Sequence, residues 1–254
     1  MSEVRIESYA PGAGAGRVVV CIGDSITHGQ VSAPWVEQIA SRLAPSGTTV
    51  VNAGVNGELA WNVLQRLDPV VDAQPDAVTL LIGTNDVCAR FGPEQAAMYR
   101  QMQGLPADPT AAWFEENYLA ILDRLRAETH ARIAAIEIPP VGERLDSDIN
   151  EKVRAYNAVI RSAAAERGIE VLPLYELLVA ALPDQHDAPA YTGDVDVVIQ
   201  ASRARAGGLS WNEISARNGL HLLVDQVHLN DRAGALLADL VAGFLEEAGT
   251  VSST

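Results

Sequence analysis

A regular alternation of short apolar runs with longer amphipathic segments is the feature of this sequence that most restricts its fold. Runs of β-branched and aliphatic residues with the length of buried strands cover residues 17–22, 48–52, 76–82, 132–138 and 169–172. Apolar residues at helical spacing cover residues 33–44, 59–67, 111–129 and 147–167, and continue after Asn230. This order predicts an α/β fold that is doubly wound around a five-stranded, mostly parallel sheet.

Two long segments interrupt the alternation. Residues 87–110 are rich in Gly and Pro, and residues 183–224 are longer still. Loops of this length in a compact domain are usually functional or disordered, and both segments leave the sheet near polar turns. We therefore interpret them as a lid or pocket wall. Within the second, residues 210–213 (SWNE) form a capping box that predicts a short helix, which Gly219 would end.

The length of 254 residues suits one large domain, which we assign to residues 17–247. Residues 1–16 are interpreted as a flexible lead-in because residues 10–16 are rich in Gly and Ala, and residues 248–254 as a tail. The first nine residues are charged and lack the apolar core of a signal peptide, so a cytoplasmic location is the default expectation. Two cysteines do not make a disulfide framework.

The charge of the chain argues against nucleic acid as a partner. The formal net charge is −15, and Lys152 is the only lysine, whereas phosphate binding depends on clustered Lys and Arg. The same acidity disfavours an anionic membrane surface, and the longest apolar runs are too short to span a bilayer. A small molecule is therefore the expected partner.

The first candidate site follows the first predicted strand, at residues 23–29 (GDSITHG). Ligands of open parallel sheets bind outside the carboxyl ends of the strands, so a polar turn at this position is informative. Ser25 would have its hydroxyl exposed at the sheet edge and its backbone N–H near a helix N-terminus, which suits a nucleophile. Two other interpretations stay open: Asp24 or Ser25 caps the helix, or the turn binds a phosphate.

Two further polar turns follow the second and third strands. Residues 52–58 (NAGVNGE) contain glycines that let a backbone amide approach a ligand, although simple turn geometry explains them equally well. Residues 83–86 (GTND) contain Asn85, whose side-chain NH₂ can donate a hydrogen bond to an oxyanion. The alternative for Asn85 is an Asx turn that ends the strand.

The last polar segment, residues 225–230 (DQVHLN), lies immediately before the final helix. A histidine such as His228 is a suitable base near neutral pH. Asp225, three residues earlier, can hold the second ring N–H and stabilise the imidazolium. The alternative is a surface carboxylate beside an ordinary histidine. The remaining histidines have no metal-binding spacing, and His28 is expected to be a neighbour of the pocket rather than the base.

In order and content, these four segments resemble the motifs of the SGNH (GDSL-type) hydrolase superfamily, over roughly residues 17–247 with the two long segments outside the resemblance. The resemblance implies a three-layer α/β/α sandwich of flavodoxin-like type. It also implies that Ser25 is the nucleophile, His228 the general base and Asp225 its orienting partner. The amides of Ser25 and Gly57 and the side chain of Asn85 would form the oxyanion hole, with Gly57 rather than Gly54 because it directly precedes the acidic start of the helix.

The implied activity is hydrolysis of carboxylic esters through an acyl-enzyme, with no metal or organic cofactor. Two alternatives remain: an acyltransferase or carbohydrate deacetylase that uses the same acyl-enzyme, and a non-catalytic binding domain on this fold. Asp24, Trp61 and Trp211 are further candidates for the pocket, although core packing is at least as good an explanation for Trp61. An α/β-hydrolase fold is disfavoured, because no G-x-S-x-G surrounds Ser25.

Overall fold

The computed structural model describes residues 16–247, so most of the predicted lead-in and the whole predicted tail lie outside the described residues. The strands are β1 (Val18–Gly23), β2 (Thr49–Gly54), β3 (Ala77–Leu81), β4 (Arg132–Ile136) and β5 (Glu170–Leu172). The helices before β4 are α1 (Ser25–His28), α2 (Trp35–Leu43), α3 (Ala60–Gln65), α4 (Asp68–Asp72), α5 (Thr84–Ala89), α6 (Pro93–Gln103) and α7 (Ala111–Glu128). The helices after β4 are α8 (Asp148–Glu166), α9 (Leu174–Ala181), α10 (Val195–Ala206), α11 (Trp211–Arg217) and α12 (Asp231–Glu247).

The five strands form one parallel sheet in the order β2-β1-β3-β4-β5. Val20 of β1 pairs with Val51 of β2 on one side and with Val78 of β3 on the other, which fixes the register at the centre. This is the strand order of flavodoxin-like proteins. The predicted fold class is therefore confirmed, and the sheet is parallel throughout.

Helices cover both faces of the sheet because both faces of its strands are apolar. In β1, Val18, Val20 and Ile22 point into a core formed with α3, α4, α7 and α8. Val19 and Cys21 point into a second core, formed with α2, α9 and α12. All six residues of β1 are buried, as expected for a central strand of a parallel sheet.

The structure adds helices that the sequence pattern did not reveal. The segment 87–110 contains α6, the segment 183–224 contains α10 in addition to the predicted α11, and α9 follows β5. Helix α11 has the predicted capping box between Ser210 and Glu213. The strand predicted to reach residue 138 ends at Ile136, because the backbone of Ile138 bonds the side chain of Asn157 instead of a neighbouring strand.

The order of the strands defines where a ligand would bind. The chain passes from β1 to β2 on one side and then crosses to β3 on the other, so the connection changes direction between β1 and β3. A crevice opens at the carboxyl ends of the strands at such a point. The turns after β1 and β3 carry Ser25 and Asn85. Within residues 16–247, no helix is both long and apolar enough to cross a membrane.

Candidate active site

Ser25 is the first residue of α1, and only Asp24 separates it from the end of β1. The Asp24 side chain caps this helix by accepting a hydrogen bond from the Ile26 N–H at 2.9 Å. The first N–H groups of a helix have no partner within the helix, so the Ser25 amide stands at the sheet edge with its hydroxyl. The cap and the nucleophile interpretation of this turn are therefore compatible, because Asp24 supplies the cap and leaves Ser25 available.

Three buried side chains form a continuous chain of hydrogen bonds at this edge. His228 Nε2 lies 2.8 Å from Ser25 Oγ, and His228 Nδ1 lies 2.8 Å from Asp225 Oδ2. Asp225 Oδ1 also accepts the backbone N–H of His228 at 2.9 Å, which fixes the carboxylate relative to the ring. The structure thus brings together residues that are 203 positions apart in the sequence.

Asp225 and His228 change each other's pKa. Burial acts to lower the pKa of the His228 imidazole, but the negative charge and hydrogen bond of Asp225 outweigh burial and raise it above its ordinary value. Burial acts to raise the pKa of Asp225, but the charge of His228 and its hydrogen bonds outweigh this and lower it. Both shifts favour an imidazole that takes up a proton beside a carboxylate that stays ionised.

The segment that carries Asp225 and His228 is held by Glu143, which follows β4. This buried carboxylate accepts hydrogen bonds from the backbone N–H groups of His221, Leu222 and Leu223 at 2.7 to 3.0 Å. It also contacts His186 Nε2, in the second long segment. The Glu143 carboxylate therefore fixes the start of the segment that carries Asp225 and His228.

Asn85 occupies the turn after β3, and hydrogen bonds at both ends of its amide fix its orientation. Tyr99 of α6 donates its hydroxyl to Asn85 Oδ1 at 2.9 Å. Asn85 Nδ2 donates to the Glu58 carbonyl at 2.9 Å and makes a long contact of 3.4 Å with Asp24 Oδ2. Because the second of these contacts is long, one of the two N–H groups can turn to an oxyanion.

The two glycines of the second turn have different roles. Gly54 packs against the backbone of α1: a Cβ there would lie 2.3 Å from the His28 nitrogen. Gly57 has a φ of +78°, which favours glycine, and it lines the cavity with Ser25. Arg66 holds this turn by an ion pair with Glu58 at 2.7 Å and a hydrogen bond to the Ala53 carbonyl at 2.9 Å.

Two buried carboxyl groups lie under the site. Burial raises the pKa of Asp24 and of Asp86 to about 7 in each case. Asp86 accepts the Ala60 N–H at 3.1 Å and so ties the turn after β3 to the start of α3. Asp24 does not line the cavity; its side chain serves the α1 cap and the contact with Asn85.

A cavity of about 250 Å³ opens at these groups. It is lined by the five residues expected to carry the chemistry: Ser25, Gly57, Asn85, Asp225 and His228. Both long segments contribute to its wall, the first through α6 and the second through the residues around the start of α10. The lining residues from these two segments are Gln95, Met98, Tyr99, Met102, Tyr191, Gly193, Asp194, Val195 and Val198.

Trp61 and Trp211, considered from the sequence as pocket residues, do not line this cavity. Trp61 stacks on Trp113 with the ring centroids 6.1 Å apart and packs in a small cluster with Leu105. Trp211, the first residue of α11, is buried in a small cluster with Ala201 of α10 and Val224. Both tryptophans therefore serve packing of the segments that surround the site. His28, at the end of α1, is likewise not among the cavity's lining residues.

Two residues at the site were missed in the sequence, Tyr99 and Glu143. Tyr99 gave no signal, because it lies in a helix that was interpreted as an irregular segment. Glu143 follows the fourth strand, so the rule that selected the polar turns after the other strands could have found it.

Among residues 16–247, no cluster of three or more His, Cys, Asp or Glu side chains is arranged to hold a metal ion. Cys21 and Cys88 are buried free thiols.

Comparison with known proteins identifies a matching family. A model of the GDSL-like Lipase/Acylhydrolase family matches residues 21–236, which include all four polar segments. No curated protein sequence matches the chain. The matched region begins within β1 and includes the other four strands, both long segments and the beginning of α12.

Solved structures with the same fold include two acetyl xylan esterases and a GDSL-like lipase. The esterase AlAXEase matches with a TM-score of 0.62 and 20% identity over 90% of this chain and 99% of its own. Axe2 from Geobacillus stearothermophilus matches with 0.64 and 18% identity, over 92% and 95%. The lipase, from Bacteroides thetaiotaomicron, matches with 0.61 and 17% identity, over 96% and 94%. At these identities the likeness shows the fold alone.

Proposed function

The chain belongs to the GDSL-like lipase/acylhydrolase family and is therefore an ester-hydrolysing enzyme, and from that premise we propose that Ser25, His228 and Asp225 carry out the hydrolysis. The observation that carries the proposal is the continuous chain of hydrogen bonds from Asp225 through His228 to Ser25, with 2.8 Å at each step. A nucleophile, a base within hydrogen-bond reach and a group that orients the base are the parts that acyl transfer needs.

In the first half of the reaction, Ser25 Oγ attacks the carbonyl carbon of the ester while its proton passes to His228 Nε2. The oxyanion that forms is stabilised by the backbone N–H groups of Ser25 and Gly57 and by Asn85 Nδ2. The bond between the carbonyl carbon and the alcohol oxygen then breaks. His228 returns the proton to the departing alcohol, and the acyl group remains on Ser25.

The second half repeats these steps with water. His228 takes a proton from water as the water oxygen attacks the acyl carbon. The bond to Ser25 Oγ then breaks, His228 returns the proton to Oγ, and a carboxylic acid leaves. Throughout, the buried Asp225 carboxylate stabilises the imidazolium and holds its second N–H. The lowered pKa of Asp225 keeps that carboxylate ionised.

The proposal is tested by covalent labelling with a fluorophosphonate. We expect one label on Ser25, located by peptide mass spectrometry, and loss of both the label and p-nitrophenyl ester turnover in Ser25→Ala. Ser41→Ala is the matched control, because Ser41 is exposed on α2 and bonds only the Glu37 carbonyl among the contacts described. A label on another residue, or full turnover in Ser25→Ala, would overturn the assignment of the nucleophile.

A further inference from the structure

The cavity beside Ser25 has a largely apolar wall outside the reacting groups. Six aliphatic or thioether side chains line it: Val31, Met98, Met102, Val195, Val198 and Val227. They come from both long segments, from the turn after α1 and from the residue next to His228. A group bound here therefore meets hydrocarbon on several sides. Methionine side chains are flexible, so part of this wall can adapt to groups of different length.

Several of the polar side chains in the wall are already engaged within the protein. The Gln226 amide bonds the Thr192 N–H and the Ala190 carbonyl. Asn56 donates to the Gln30 side chain, while its buried Oδ1 has no partner among the described residues and could accept one ligand hydroxyl group. Asp194 caps α10 by accepting the Asp196 N–H. A ligand rich in hydroxyl groups would have several hydroxyl groups without hydrogen-bond partners in this cavity, and this loss would weaken binding.

The charges around the cavity disfavour an anion. No Lys or Arg is among its lining residues. The lining contains one histidine, His228, and two carboxyl groups, those of Asp194 and Asp225. The chain as a whole carries a formal net charge of −15. A carboxylate or phosphate on the substrate would therefore be repelled rather than paired.

The mouth of the cavity is also apolar. Within residues 16–247, the large apolar side chains that are exposed are Phe91 at 39%, Met102 at 56%, Val195 at 45% and Ile199 at 41%. Met102 and Val195 line the cavity, Ile199 lies one turn beyond Val195 on α10, and Phe91 packs against Gly193 of the wall. The large apolar side chains that are this exposed among the described residues thus all lie on the segments around one opening, which indicates a binding function.

We propose that the ester cleaved at Ser25 carries an uncharged hydrocarbon group of several carbons, which binds in this cavity. This inference rests on the proposed function and goes beyond it by naming the substrate class. It separates this chain from its structural neighbours that are described as acetyl xylan esterases, since an acetylated sugar would place hydroxyl groups against the Met and Val wall. Met98 and Val198 are the residues that would set the preference.

Two series of esters test the proposal, one for each side of the ester bond. The first varies the acyl chain of p-nitrophenyl esters from acetate to octanoate, and the second varies the alcohol of acetate esters from methanol to hexanol. In at least one series, kcat/KM is expected to rise about fourfold for each methylene that enters the cavity. An acetylated methyl xyloside and an ester with a terminal carboxylate are expected to react more slowly than the hexyl-length esters.

Two variants connect the preference to the cavity. Val198→Thr keeps the shape of the side chain and replaces one methyl group by a hydroxyl group, and Met98→Gln replaces a thioether by an amide. The ratio of kcat/KM for the longer ester to that for acetate is expected to fall about fivefold or more. Val197→Thr is the matched control, because Val197 is the neighbouring residue on α10 and does not line the cavity.

The outcomes separate this inference from the proposed function. Ester turnover that depends on Ser25 but is flat or falling with length in both series would overturn the inference alone, as would faster reaction of the acetylated xyloside. An unchanged length ratio in both Val198→Thr and Met98→Gln would also overturn it. Absence of Ser25-dependent turnover of every ester, with no fluorophosphonate label, would overturn the proposed function and this inference together.

Discussion

The hydroxyl group of Tyr99 donates a hydrogen bond to the side-chain oxygen of Asn85 at 2.9 Å. This bond fixes which end of the Asn85 amide carries its donors, so Nδ2 lies on the side of Asp24 and the Glu58 carbonyl. Tyr99 belongs to α6, in a segment that the sequence pattern left irregular. A helix of the pocket wall thus orients a donor of the proposed oxyanion hole.

Tyr99→Phe is expected to lower kcat for a short p-nitrophenyl ester by about 2- to 10-fold, the value of one hydrogen bond. The ring is retained, so the wall of the cavity and KM for the ester should change little. Tyr118→Phe, which removes a hydroxyl group from the core at α7, is the control. Equal kcat in Tyr99→Phe and in wild type would contradict the orienting role.

Asn85→Ala removes the donor itself and is expected to lower kcat by about 10²- to 10³-fold. The free energy of unfolding is expected to change little. Steady-state kinetics and thermal unfolding of the same preparation test this. A variant that labels normally with fluorophosphonate but turns over at the wild-type rate would remove Asn85 from the proposed hole.

Gly57→Ala is expected to lower kcat by about 5- to 30-fold, because a Cβ at φ +78° is strained and would lie 2.5 Å from Gln103 Nε2. Relief of that contact shifts the amide proposed to bind the oxyanion. Gly168→Ala introduces a Cβ at a similar φ of +63° with nothing within 4 Å. Both variants should lose stability, and only the first should lose rate; an equal loss of rate would refute the special role of Gly57.

The pH dependence of kcat/KM follows from the pKa of His228. The base must be neutral, so activity is expected to fall as pH drops through a pKa above the ordinary value of 6.5. In Asp225→Asn the negative charge is lost and burial still disfavours the imidazolium, so the pKa of His228 is expected to fall. The acid limb of the pH profile, where activity falls, is therefore expected to move to lower pH. The maximal rate should fall by about 10⁴-fold. An acid limb at the same pH in wild type and Asp225→Asn would contradict the pairing.

Glu143→Gln is expected to reduce the free energy of unfolding by about 1 to 3 kcal/mol and to lower kcat, because an amide cannot accept all of the N–H groups from His221 to Leu223. The loop that carries Asp225 and His228 loses its anchor, whereas the cavity wall keeps its side chains. Glu151→Gln on the exposed face of α8 is the matched control. Unchanged kcat in a destabilised Glu143→Gln would limit Glu143 to a structural role.

The sequence by itself determined the sheet, its parallel direction and the turns that carry polar residues. Strands such as β1 are apolar on both faces, and their alternation with amphipathic helices allows few other arrangements. Because ligands of such sheets bind at the carboxyl ends of the strands, position made Ser25 and Asn85 candidates, while a helix cap or a phosphate-binding turn for Ser25 and an Asx turn for Asn85 stayed open. Local rules sufficed here, since hydrophobic period and strand ends are properties of neighbouring residues.

Tertiary structure decided which side chains from distant parts of the chain contact one another at the site. The 2.8 Å contact of His228 with Ser25 joins positions 203 residues apart, and the Glu143 anchor joins positions about 80 apart. Helices α6 and α10, which form part of the cavity wall, were also not predicted from the sequence. They expose apolar residues, so they lack the periodic apolar face of a helix that packs on a core. Their apolar side chains are set by the cavity they surround, and that cavity exists only in the folded chain.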